Sequence, residues 1–431
     1  VSTSLAAPTV GFAGMTHLGL VSSVAGAERG FDMVCFDPDP ALIERIAEGT
    51  LPVVEPDLEA LIARNKPRLA FTADPRALRG CDVVYVAPDV ATDEEGRSDL
   101  VIIERLLAMA FDNTRADTVV VVLSQVPPGF TRSRQRADRT LIYQVETLIF
   151  GRAVERALHP ERTIIGLKDT MQPLPPVYRT YLAAHGNPPL LPMRYESAEL
   201  AKISINCCLV ASVSVANTLG ELCEHLGADW SEIAPALKLD RRIGPYSYLT
   251  PGLGIAGGNL ERDLATVLRL SAEFGSDAGV IDAWIANSRH RKNWAFDVLK
   301  AELLTHATKP RIAVLGLTYK ENTHSIKNSA AVALVLQLAA CEVAVFDPIV
   351  KADIAPAARK ASSMLDCIAG ADAVAIMTPW PEFKSLDPAS IAHGMRGRLL
   401  LDPYRLLPGP AVAALGLDYF TLGAPPLRAA H

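Results

Sequence analysis

At 431 residues the chain is long for one core and is sized for two or three domains, each able to bury an interior. A formal charge of −6 leaves no basic footprint and excludes nucleic acid as a partner; seven scattered cysteines without a C-x-x-C pair argue against a disulfide framework and against a zinc or other metal site. No basic segment followed by an apolar stretch opens the chain, and no run approaches the roughly 18 to 20 apolar residues of a membrane span, so the expectation is a soluble, cytoplasmic protein with no membrane partner.

In chain order, an apolar run ends in Gly11-Phe12-Ala13-Gly14, a small-residue helical segment covers 20–28, and a strand from Phe31 to Phe36 ends in Asp37. Strand, tight turn, helix, strand and acid is the layout of a dinucleotide site. Glycines permit the turn, the helix N-terminus faces the diphosphate, and the acid holds the adenosine ribose. The pattern here is Gly14-x-Thr16-x-x-Gly19, with a threonine hydroxyl in the middle. An intact site with Asp37 favours NAD over NADP, because a carboxylate repels a 2′-phosphate. The alternative is an ordinary turn with a surface aspartate.

Helical segments at 40–48 and 57–64 and strands near 68–72, 82–87, 118–123 and 141–145 continue the alternation. Such alternation builds a doubly wound sheet whose ligands sit at the carboxyl ends of the strands. Two of those ends carry polar loops, Ala87-Pro88-Asp89-Val90 and Ser124-Gln125-Val126-Pro127-Pro128-Gly129, and a basic, proline-rich stretch over 151–176 closes the domain.

A long helix is expected from about Ser197 to His225. Glu199, Lys202 and Asn206 are spaced three and four apart on one face of it, as a reactive set or as a solvated charge pair. The loop from Pro251 to Gly258 holds four glycines and runs through Asn259, Glu261, Arg262 and Asp263 into a helical pattern, which reads as a ligand cradle with chemistry at its exit. Residues 277–306 read as a second long helix. Arg311 to Gly316, a polar loop over 321–329, a helix over 330–339 and Val343 to Pro348 then repeat the opening βαβ plan, with further strands at 372–377 and 398–402. The fold class expected is α/β: two Rossmann-like doubly wound domains, 1–193 and 306–431, joined by a long-helix bridge over 194–305.

With these words in place the chain resembles the UDP-glucose/GDP-mannose 6-dehydrogenase family over nearly its full length. The resemblance rests on Glu199-Leu200-Ala201-Lys202 with Asn206, Asp240 to Gly244, Pro251 to Asp263, and Gly316 to Thr323. Smaller matches are Glu55-Pro56, Ser124 to Gly129, Glu146 to Gly151 and Val345 to Pro348. It implies an NAD domain, a dimer formed through the helical bridge, and a C-terminal domain that helps hold a nucleotide sugar, with a UDP-sugar favoured on the resemblance alone. Family members oxidise the sugar C6 alcohol to a carboxylate in two hydride transfers. The resemblance assigns catalysis to Lys202, Asn206, Asp263 and Glu146, and to the position of Asn259. It gives Gly14, Thr16, Gly19, Asp37, Asp89, Gln125 and Lys327 to the cofactor, and Arg242, Tyr248, Leu249, Gly254, Lys320 and Arg405 to the substrate.

The family captures the aldehyde on a cysteine in the glycine-rich loop, and that position is Asn259 here. A carboxamide cannot form the thiohemiacetal or the thioester derived from it. Further departures are Arg262 for a lysine, Asp89 and Gln125 for threonines, Phe130 for a small residue, Ser325 and Lys327 for an aspartate and an arginine, and Tyr404-Arg405 around another arginine. Three readings are open: a dehydrogenase that oxidises the CH–OH group without the thiol step, a catalytically silent nucleotide-sugar-binding or regulatory protein, and a route to the uronic acid that needs no cysteine.

Overall fold

Short valine-rich runs between turn signals become strands buried on both faces, as parallel sheets flanked by helices require. The computed structural model describes residues 7–93, 96–351 and 357–429. They pack as two units, 1–205 and 206–431, that divide within one continuous helix, Tyr195–Leu226.

The first unit is built on an eight-stranded sheet. Its strands are β1 (Val10–Ala13), β2 (Met33–Phe36), β3 (Leu69–Thr72), β4 (Val83–Val86), β5 (Val119–Val122), β6 (Thr140–Gln144), β7 (Thr163–Leu167) and β8 (Leu190–Arg194). Their order is β3-β2-β1-β4-β5-β6-β7-β8, and only the β6–β7 pair is antiparallel. Alternation along β5 sends Val119 and Val121 into one apolar layer and Val120 and Val122 into the other. Each such side chain contributes about 1.5–3 kcal/mol of burial. The stretch 151–176 is therefore more than a closing loop: it contains the helix Ala153–Leu158 and strand β7, which with β8 extends the sheet.

The second unit contains a helical segment and a second, six-stranded sheet. The strands are β9 (Arg311–Leu315), β10 (Glu342–Phe346), β11 (Arg359–Lys360), β12 (Ala373–Ile376), β13 (Leu399–Leu401) and β14 (Asp418–Phe420). They are all parallel in the order β11-β10-β9-β12-β13-β14. Counted from its own first strand this is the 3-2-1-4-5-6 order of the dinucleotide fold, and the first six strands of the other sheet share it. The fold class is thus as expected, α/β with two Rossmann-like sheets.

Two expectations about helices are corrected. The segment 277–306 is broken: Gly279–Lys292 ends at Asn293, and a separate helix, Trp294–Leu299, leads into a wide π-type turn, Lys300–Leu304. The break lets Trp294, Ala295 and Leu299 enter the core under the second sheet. Arg291, 1% exposed at its side chain, is neutralised by Glu224 at 2.7 Å, and Glu224 also accepts from the Gly423 N–H, tying the helices to the chain beyond the last strand.

The second correction concerns hydropathy. Tyr195–Leu226 contains an 18-residue window of mean hydropathy 1.5, so by length and composition one helix does suffice to cross a membrane. Isoleucine, valine, cysteine, leucine and alanine produce the signal between scattered serines, where the eye looks for unbroken apolar runs. The same helix carries Glu199, Lys202 and Glu221, each held by a protein partner, and the core helix of a large enzyme meets the same measure of length and composition.

Candidate functional site

In the first unit, chemistry gathers where β1 turns into the first helix, His17–Glu28. Gly14 has φ +101°, and a Cβ there would stand 2.8 Å from the Pro88 nitrogen. Gly19 faces the Gly14 carbonyl so closely that any side chain would overlap it. Only glycine fits either position, which brings helix and strand into close packing and leaves the backbone N–H groups aimed at the crevice. Asp37, buried at the end of β2, accepts from Met15 N–H at 2.8 Å and Asp39 N–H at 3.0 Å. A carboxylate has about four acceptor positions, so Asp37 retains capacity for hydroxyls of a ligand. The residues fit a dinucleotide: turn, helix end and acid are present and in order.

The two expected threonine positions behave differently from threonines. Asp89 places its carboxylate 2.8 Å from the His17 N–H, while Thr16 Oγ1 accepts from the Asp89 N–H at 2.7 Å. Crowding by protein raises the Asp89 pKa, and nearby Glu146 adds to the rise; His17 and the hydrogen bonds from Thr16 and His17 pull the other way. Gln125 is buried in the loop after β5, next to Ser124, whose hydroxyl donates to the Pro88 carbonyl.

Beside this turn stands an ion pair. Lys202 Nζ lies 2.6 Å from Glu146 Oε1, with side chains only 11% and 15% exposed. Its helix is anchored one turn earlier: the buried Glu199 accepts from the N–H groups of Gly129 at 2.6 Å and Thr131 at 2.9 Å. Glu199 therefore positions the helix, and burial raises its pKa against those hydrogen bonds. A second anchor is Glu55, which accepts from the N–H groups of Gly151 and Ala153 and pairs with His17 at 2.9 Å, while the His17 ring stacks on Phe150. Glu55 is not among the site residues expected from sequence, and Glu199, read there as one of a reactive set or a solvated pair, is instead a buried anchor.

In the second unit the glycine-rich stretch is tied down at each step. Gly252 N–H donates to Asn217, Ile255 N–H to Ser288, and Gly257 N–H to the Lys327 carbonyl at 2.9 Å. Gly254, at φ +76°, lies so close to the Ser288 carbonyl that its hydrogen is the only substituent that fits. The polar cluster is not beyond the loop but inside a helix, Asn259–Phe274, which begins at Asn259 itself. Asn259 is exposed; Arg262 and Asp263 are buried side by side, their charges 3.5 Å apart. Asn206 donates its amide to Asp263 at 2.5 Å, so these two expected catalytic residues meet. Cys207 adjoins this pair, but burial and the Asp263 charge push its thiol up to about 11, leaving little thiolate at neutral pH.

Lys327 crosses Gly258, with its ammonium about 3.4 Å from where a Cβ would be, and Asn328 bridges the Gly257 carbonyl and Glu261. Lys320 lies over the Tyr319 ring. The remaining expected substrate residues do not gather there. Arg242 is exposed and pairs with Asp240, and Tyr248 is half exposed. Leu249 is buried against Trp230, whose indole donates to its carbonyl. Arg405, with φ +53°, is clasped to Asp229 and Ser231. Among the described residues no group of acids, histidines and cysteines is placed to hold a metal.

Comparison with known proteins converges on one family. Three models of the UDP-glucose/GDP-mannose dehydrogenase family match: the NAD binding domain over 8–181, the central domain over 196–289 and the UDP binding domain over 313–408. A UDP-glucose 6-dehydrogenase of Rhizobium meliloti is 31% identical over 96% of this chain and 98% of its own length. A UDP-glucose dehydrogenase structure from Pyrobaculum islandicum superposes with a TM-score of 0.81 at 26% identity, covering 93% of this chain and 95% of that one. A UDP-D-ManNAc dehydrogenase from Pyrococcus horikoshii, at 23% identity, covers 96% and 99% with a TM-score of 0.82 and is like this chain in fold.

Proposed function

Because the chain belongs to the UDP-glucose/GDP-mannose dehydrogenase family, we propose that it oxidises one CH–OH group of a nucleotide sugar by two electrons and releases the carbonyl product. NAD is its cofactor and, when bound, supplies the hydride acceptor. Gly14, Gly19 and Asp37 hold it at the first turn, and a UDP-sugar is the substrate class we favour.

The observation that carries this reading is the Lys202–Glu146 pair in a chain whose residue 259 is asparagine. Hydride can leave the sugar carbon only if its hydroxyl gives up a proton, since otherwise a protonated carbonyl forms, and the oxygen takes on alkoxide character as that proton is removed. A largely buried ammonium stabilises that charge more strongly than one in water, and the carboxylate beside it fixes its position and accepts proton density. Asn206 and Asp263, hydrogen-bonded to each other, supply a donor and a base in the family pattern. The second oxidation in the family proceeds through an acyl-thiol, which Asn259 cannot form and the protonated Cys207 does not replace. The exposed stripe Val215, Leu219, Leu222 and Leu226, spaced four, three and four, supports a homodimer through the long helix.

The test is the number of NADH formed per sugar nucleotide consumed across UDP- and GDP-sugars, with product mass recorded. One NADH and a carbonyl product is expected. Two NADH and a uronic acid would show that the full oxidation survives without the thiol, and saturable binding with no NADH would identify a silent nucleotide-sugar binder.

A further inference from the structure

The N-terminus of the first helix already carries an anion from the protein itself. Asp89 Oδ2 lies 2.8 Å from the His17 N–H, the first of the helix, and its backbone is latched by Thr16 at 2.7 Å. In a strand-turn-helix dinucleotide site this helix end is where the cofactor diphosphate is held, by N–H groups and the positive end of the helix. Two anions cannot use the same N–H, and like charges a few ångströms apart repel even though Asp89 itself is exposed. The surroundings do not offset the repulsion. The charged groups facing the turn are Asp37 on the Met15 N–H, His17 paired with Glu55, and Glu146 paired with Lys202, so both basic groups already have carboxylate partners.

We infer that Asp89 is an internal stand-in for the cofactor diphosphate, a side chain that must leave the helix end before NAD seats and therefore sets how tightly the protein binds NAD. This rests on NAD being the cofactor. The loop after β4 thus acts as a competitor tethered to the site it competes for, and removing its charge makes the cofactor bind more tightly. Because crowding raises the Asp89 pKa, the competitor is neutralised more readily than an ordinary aspartate as pH falls, and NAD binding to the parent protein strengthens in the same direction.

The experiment is calorimetric titration of the intact protein, Asp89→Asn and Asp89→Ala with NAD and with ADP-ribose, which carries the diphosphate without the nicotinamide. Thermal melts check that each variant is folded. Both variants are expected to bind both ligands about tenfold more tightly than the parent, the scale of a favourable anion contact at a helix end. As pH falls from neutral toward the ordinary aspartate range, the parent's affinity should rise while that of Asp89→Asn changes less; both retain His17, so the difference isolates Asp89. Equal or weaker binding by folded variants of a parent that does bind NAD overturns the inference alone, as does a parent curve as flat as the variant's. No binding by parent or variants overturns it together with the cofactor reading.

Discussion

The chain makes the same turn twice and finishes it differently. At the end of β1, Gly14 (φ +101°) is followed by a Met15 N–H donated to Asp37; at the end of β9, Gly316 (φ +91°) is followed by a Leu317 N–H donated to Asp347 at 2.7 Å. Both glycines abut the segment after a neighbouring strand of the sheet, Pro88 after β4 and Thr378 after β12. The opposite ends of the strands repeat as well. Asp82 takes Thr9 N–H and Arg115 before β4, and Asp372 takes Arg311 N–H and Arg396 before β12.

The two turns part company immediately after the glycine and its neighbour. In the first unit a helix begins at His17, so its N–H groups face the crevice and Asp37 keeps acceptor capacity. In the second, the loop 317–329 intervenes before the helix Ala330–Gln337. Asp347 there accepts from the N–H groups of Leu317, Thr318, Ile349 and Val350 and from the Trp380 indole, so it is saturated by protein. One plan leaves the acid of the first unit with acceptor capacity to spare and saturates its counterpart in the second.

Substitutions at the two acids should separate these roles. Asp347→Ala removes the acceptor for several converging donors and is expected to destabilise the protein by on the order of 3 kcal/mol, read as a shifted denaturant midpoint. A cost comparable to that of an exposed aspartate would break the comparison. Asp37→Asn keeps the size and one acceptor oxygen, so it should cost only about 1 kcal/mol of stability while weakening NAD about 10- to 100-fold by titration, the worth of a charged hydrogen bond. Unchanged NAD affinity would make Asp37 a second structural acid.

The smallest effect concerns the shared base of the sheets. The Arg396 hydrogen bond, opposed by burial and joined by the Arg311 N–H, holds the Asp372 carboxyl below the usual aspartate range. A lowered folded-state pKa stabilises above the unfolded value of about 3.9 and is lost as pH falls through the folded one. Asp372→Asn should therefore melt a few degrees lower than the parent at neutral pH, with the gap closing in acid below about pH 3. A gap independent of pH would assign the effect to shape rather than charge.

Much of this was legible in sequence where a local rule suffices. Val119–Val122 reads as a buried strand because nothing else tolerates four consecutive valines so well, and Gly14, Gly19 and Asp37 read as a cofactor turn because spacing and residue type coincide. The pairing of Lys202 with Glu146 and of Asn206 with Asp263 was less so, because the members lie far apart in the chain and only a shared site suggests them. The break at Asn293 was hidden because no proline or glycine marks it; the burial of Trp294 does.

The local choices were determined by the sequence by itself: which runs become strands, which turns demand glycine, and that position 259 carries no nucleophile. Tertiary structure alone decided which donors each charged side chain meets. It saturates Asp347 and spares Asp37, ties Arg405 to Asp229, and lays Asp89 on the helix end. The physical reason is that propensity and steric strain act within a few residues, whereas hydrogen-bond partners and the pKa values they produce depend on groups brought together from distant parts of the chain.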